Sequence, residues 1–166
     1  MSNAFKTYVV GSALALAAVA AVSGQSAKPS FTGVWTFAGP APQPGSGGGG
    51  TLALLPEPIT IRHTAGSISI DRTAFGQKFT MTFTIDGSKD DTNRTGAQAW
   101  TTKTRWDGRA LVTTGTIAQN TSAGFEEWAF TETRSLDARG HMIVETKHVA
   151  TDGKVTTGKQ DWAPRK

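Results

Sequence analysis

The chain is expected to fold as an all-β domain, an up-and-down antiparallel barrel of about nine strands, with a two-sheet sandwich as the alternative. Three observations predict this. Apolar residues and Thr alternate with period two, most clearly from Lys78 to Ile117. Tight Gly-containing turns join these runs. No stretch after the first segment carries a helical repeat, which leaves no room for a crossover helix.

The first segment reads as a secretory leader, residues 1–27. Lys6 is its one charge, an apolar run from Tyr8 to Val22 follows, and small residues offer cleavage near Gly24 or Ala27. The run is shorter than the roughly 20 apolar residues of a spanning helix. A secreted or periplasmic domain, residues 28–166, without a membrane span after cleavage, is therefore expected. The chain has no Cys, so an exported fold must stand on its packed core, and thiolate sites are excluded. Its formal net charge of +4 becomes +3 once Lys6 is removed. Those charges are scattered and form no basic cluster interleaved with aromatics, so no nucleic-acid partner is expected.

The elements follow in order. Ser30–Phe37 is a first strand. Residues 39–50 (GPAPQPGSGGGG) are a Pro/Gly-rich loop. Gly45 and Gly50 have phosphate-loop separation, but Thr51 stands where that motif needs Lys. A two-residue turn at Ala65-Gly66 pairs His63 with Ile68 and Ile61 with Ile70. A second, at Phe75-Gly76, pairs Arg72 with Phe79, Ile70 with Met81 and Ile68 with Phe83. Burial selects these registers, because a slip of one residue would turn Phe79, Met81 and Phe83 away from the Ile face.

Ser88–Gly96 (SKDDTNRTG) reads as a polar loop. Its Asp90-Asp91 pair lacks further carboxylates at calcium-loop spacing, so no metal is expected. Asp107-Gly108 is taken as a turn pairing Trp106 with Arg109, Thr104 with Leu111, and Trp100 with Gly115. Asp137 to Gly140 fits a type I turn with a Gly bulge, pairing Phe130 with His148, Glu132 with Thr146 and Trp128 with Ala150. Asp152-Gly153 is taken as a two-residue turn that sets His148 opposite Thr157 and Thr146 opposite Lys159. Twist closes so long a meander and removes its edges.

Gly33-Val34-Trp35 on the first strand resembles the G-x-W signature of lipocalins. Phe31-Thr32 before it, the Pro-flanked Ile59-Thr60-Ile61, and Trp106-Asp107-Gly108 followed by Leu111 resemble secreted bacterial lipocalin-like (calycin-like) domains. No T-D-Y-type motif and no disulfide accompany them. The resemblance implies a barrel and the binding of an apolar ligand. It also implies that Trp35 closes the barrel base under a basic side chain, Arg165 or Lys159.

The expected inner face carries Ile59, Ile61, Ile68, Ile70, Phe79, Met81, Phe83, Trp100, Trp106, Leu111, Trp128, Phe130, Met142 and Val144. A small barrel either fills with such residues or keeps space for one small ligand. The same face carries His63, Arg72, Glu132, Thr146, His148, Lys159 and Asp161. Polar groups within an apolar cup are the usual make-up of a ligand site. The candidate ligand-binding set is Glu132, His148, Lys159, Thr146, Arg72, His63, Trp100 and Phe130.

Two functions follow. One is a binding module for a small apolar or amphiphilic ligand. The other is a barrel enzyme, a lyase, isomerase or hydrolase, using His148 and Glu132 for acid–base work. No Ser sits in a nucleophile elbow, Glu126 and Glu127 point to opposite faces, and no His pair has metal-ligand spacing. No cofactor is expected, and the oligomeric state is open at this level.

Overall fold

A computed structural model describes residues 27–39, 57–74, 76–96, 98–122 and 124–166. Nearly all of the segment expected as a leader, residues 1–26, and most of the Pro/Gly-rich stretch lie outside the described residues. Among the described residues there are ten strands: β1 (Gly33–Phe37), β2 (Ile59–His63), β3 (Ser67–Ala74), β4 (Gln77–Thr84), β5 (Asp91–Thr95), β6 (Gln98–Asp107), β7 (Ala110–Thr121), β8 (Gly124–Leu136), β9 (Met142–Ala150) and β10 (Val155–Pro164). They form one antiparallel sheet in the order β4-β3-β2-β1-β10-β9-β8-β7-β6-β5. Strand β5 lies beside β4, so the sheet curls into a nearly closed barrel. Among the described residues no helix is long and apolar enough to cross a membrane.

The tenth strand is β5, inside the stretch read as a loop. Its sequence, DTNRT, lacks large apolar side chains because its task is polar. It pairs with β6 through a ladder, but it meets β4 through side chains. The Asn93 side chain accepts from the Thr82 N–H at 2.9 Å and donates to the Thr82 carbonyl at 3.0 Å. The Asp91 carboxylate accepts from both the N–H and the hydroxyl of Thr84. These groups stand in for the missing ladder along a seam that would otherwise be two open edges.

Alternation delivers one core. Phe83, Trp100, Phe130 and Met142 are all buried in a single cluster with Ile59, Ile61, Ile68, Ile70, Met81, Leu111 and Val144. Phe31, Trp35, Ile85, Ile117 and Trp162 complete it, and Trp106 and Trp128 pack against it half-buried. The β2–β3 and β3–β4 registers are as expected, with His63 opposite Ile68 and Arg72 opposite Phe79. So is β8–β9, with Phe130 opposite His148 and Glu132 opposite Thr146.

Two registers differ from the expectation. The β6–β7 turn is Gly108-Arg109, which slides the pairing by two: Trp106 faces Leu111, Thr104 faces Thr113 and Trp100 faces Ile117. Gly108 takes φ +58° at the first turn position, a left-handed conformation that Gly adopts without steric cost. The slide sets Trp106 against an apolar partner and leaves Arg109 exposed. An even slide keeps every side chain on its expected face. Gly115 then lies opposite Thr102, not Trp100. A Cβ there would sit 2.0 Å from the Thr101 carbonyl oxygen, so glycine makes room for backbone rather than for an indole.

The β9–β10 difference is odd and has larger consequences. The Ala150 N–H donates to the Lys154 carbonyl, and the Gly153 N–H donates to the Ala150 carbonyl. This is a three-residue loop with Gly153 at φ +81°. The Asp137 turn makes the same pair of bonds. Thr146 consequently faces Gly158, Val144 faces Gln160 and Met142 faces Trp162. Lys159 and Asp161 turn outward, while Gln160 and Trp162 turn inward and are buried. Burying the Trp162 surface contributes roughly 4–6 kcal/mol, whereas burying Lys159 and Asp161 would cost several.

Candidate functional site

Strand β8 places Trp128, Phe130, Glu132 and Arg134 on one inward line, two residues apart. Glu132 and Arg134 are fully buried and form a direct ion pair. The Arg134 guanidinium also donates to Thr113 Oγ1 at 3.3 Å and lies 5.6 Å over the Phe83 ring. Thr113 in turn shares a 2.9 Å hydrogen bond with Thr104. Burial pushes Arg134 below the usual arginine range, and the Glu132 charge opposes that push. Arg134 is absent from the sequence-derived candidates. The alternation that turns Glu132 inward turns Arg134 inward too, so the signal was there.

Glu132 also faces charge from other strands. Burial lowers the pKa of Arg72 on β3 and of His148 on β9, and in both the Glu132 carboxylate acts in the opposite sense. One carboxylate thus serves three basic side chains from three strands. Arg72 lies 5.9 Å over the Phe79 ring. His148 meets Phe130 edge-on at 6.3 Å, and Phe130 meets Trp100 edge-on at 5.3 Å.

Side-chain depth grades inward at the upper end of the barrel. Arg72, Phe79, Trp128 and His148, at the end formed by the β3–β4, β7–β8 and β9–β10 turns, are half-buried. Met81, Phe83, Phe130 and Glu132 below them are buried. Inside this upper end, Thr146 Oγ1 and His148 Nε2 are buried with no hydrogen-bond partner among the described residues. Buried polar atoms are rarely left so, and each such orphan costs about 1–3 kcal/mol until something bonds it.

Of the expected set, Glu132, Thr146, His148, Arg72, Trp100 and Phe130 share this interior. Lys159 does not. The odd β9–β10 register turns it outward, where it pairs with Glu145 at 3.0 Å. Asp161 is likewise outside, bound to His141 at 2.7 Å and to Arg139 at 2.8 Å.

His63 lies at the opposite, lower end. Its Nδ1 accepts from the Phe31 N–H at 3.3 Å, and its ring packs against both Phe31 and Trp106. Trp35 is buried near that end and donates its indole N–H to the Phe31 carbonyl at 2.8 Å. Lys159, turned outward onto Glu145, does not cover it, while the Arg165 N–H donates to the Val34 carbonyl beside Trp35 at 2.8 Å. The buried arginine is Arg134, over Phe83.

No protein-family model matches this chain, and no curated protein matches it.

Proposed function

We propose that this chain is an exported, lipocalin-like barrel that binds one small amphiphilic ligand in its upper interior. The observation that carries the reading is the pair of orphaned polar atoms, Thr146 Oγ1 and His148 Nε2, beside Phe130 and Glu132. A ligand with an apolar body and a hydroxyl or carbonyl end would lie against Phe130 and bond both atoms. The half-buried Arg72, Phe79 and Trp128 mark the route in. The leader pattern of residues 1–27 supports export, and the Gly33-Val34-Trp35 triplet supports the lipocalin-like assignment.

The acid–base alternative loses ground because Glu132 is engaged by Arg134. A base that needs the Glu132 carboxylate to orient His148 would have to compete with that buried ion pair.

The test uses the purified protein, native mass spectrometry for a co-purified small molecule, and displacement of the neutral dye Nile red. One dye per chain is expected, displaced by medium-chain alcohols. Thr146→Phe, which sets a bulky ring beside His148 in place of the hydroxyl, is expected to abolish uptake. Absence of uptake, or uptake unchanged in Thr146→Phe, rejects the reading.

A further inference from the structure

The lower end of the barrel holds an open depression of about 400 Å³, lined by residues 28–30, residues 63–65 and Trp106. That volume lies in the range of small-molecule sites. Its wall is an aromatic stack. Trp106 lies nearly parallel to Phe31, 15° apart with centroids at 6.1 Å, and His63 leans on both at 5.7 and 5.9 Å. The stack is held in place from behind. The Phe31 N–H is bound to His63 Nδ1, and Thr32 exchanges hydrogen bonds with the His63 backbone. With Nδ1 accepting, the neutral ring carries its hydrogen on Nε2 and offers a donor there.

The charge of the depression has one sign. Lys28 Nζ lies 5.5 Å from the Trp106 ring centre, and none of the lining residues is acidic. An ammonium over an indole face is the arrangement that an aromatic ring bearing an anion can replace. The ring takes the indole face, and the flexible lysine follows the negative charge.

We infer that this depression is a second ligand site, separate from the barrel interior, for a planar aromatic carboxylate. The ring stacks on Trp106, and the carboxylate meets Lys28 and the His63 Nε2–H. The site needs no opening of the barrel and is independent of whether the interior binds anything.

The experiment titrates the nitrogen-15-labelled full chain with naphthoate and, separately, with its uncharged counterpart naphthamide. Tryptophan indole N–H signals are the readout, and Trp106→Phe assigns the relevant one. Saturable shifts centred on Trp106 are expected, with naphthoate binding about threefold to fivefold tighter than naphthamide. Lys28→Ala is expected to erase that difference, and Trp106→Leu to weaken both ligands about tenfold. His148→Phe is expected to leave both unchanged. Lys28 lies on an exposed segment, so Lys28→Ala tests the site even if Trp106→Leu fails to fold. Equal binding of the two ligands to wild type, or shifts centred on Trp100 and Trp128, overturns the inference.

Discussion

Asn93 holds Thr82 as a neighbouring strand would: its side-chain amide takes both the N–H and the carbonyl of that residue, at 2.9 and 3.0 Å. A backbone partner would offer the same donor and acceptor. With Asp91 on Thr84, this clasp joins the first and last members of the sheet order without a ladder between them. Each net hydrogen bond contributes about 0.5–1.5 kcal/mol. Asn93→Ala is therefore expected to lower stability by about 1–3 kcal/mol in urea unfolding. Hydrogen exchange at the Thr82 and Thr84 amides in Asn93→Ala/Asp91→Ala is expected to quicken, while the β8 amides keep their protection. Unchanged exchange at Thr82 would show that the seam is held by something else.

The Glu132–Arg134 pair is expected to behave as a unit. Removing one partner leaves a buried charge uncompensated, so Glu132→Leu and Arg134→Met are each expected to cost about 3–5 kcal/mol. The double variant Glu132→Leu/Arg134→Met removes both charges and is expected to cost clearly less than the sum of the two losses, the remainder reflecting Arg72 and His148, which also face Glu132. A double-mutant cycle by chemical denaturation checks this. Additive losses would show that the two side chains do not depend on each other.

Gly115 faces backbone at close range. A Cβ would lie 2.0 Å from the Thr101 oxygen and 2.9 Å from the Thr102 Cα. Neither atom is the tip of a flexible chain, so β6 and β7 must separate. Gly115→Ala is expected to destabilise the fold by about 3 kcal/mol or more, whereas Gly66→Ala, with open space around its Cβ position, is expected to change stability little. Melting temperatures of the two variants settle the comparison.

The pH dependence follows from the histidines. Burial lowers the pKa of both His63 and His148 from 6.5 in the folded chain, with Glu132 partly opposing this at His148. Below the ordinary value the unfolded chain binds more protons than the folded one. Stability is therefore expected to be full above about pH 7 and to fall with decreasing pH, from 6.5 down through the lowered values. The folded-state aspartate shifts at Asp71 and Asp161 lie around and below 3.8 and act at lower pH. His63→Gln/His148→Gln is expected to flatten the slope between about pH 7 and 5 in denaturation curves. A wild-type slope that persists in the double variant would assign it elsewhere.

Period-two alternation, with the Gly turns and the lack of a helical repeat, determined an all-antiparallel meander and the shared inward face of the Ile, Phe and Trp residues, while the choice of barrel over sandwich rested on its closure. Alternation sets that face because a strand has only two faces and burial distinguishes them. The same rule reached Glu132, Thr146 and His148, and applied one step further it reaches Arg134. Three matters were left to the tertiary structure. The Asp152-Gly153 corner permits a two-residue or a three-residue loop, and only the gain from enclosing Trp162 against Met142 and Phe37 selects the latter, which sends Lys159 to the surface. The tenth strand carries no apolar signature, because Asn93 and Asp91 close the seam with polar atoms. The assembly of Phe31, His63 and Trp106 joins residues far apart in the chain, and no local pattern encodes a contact that exists only once the barrel has closed.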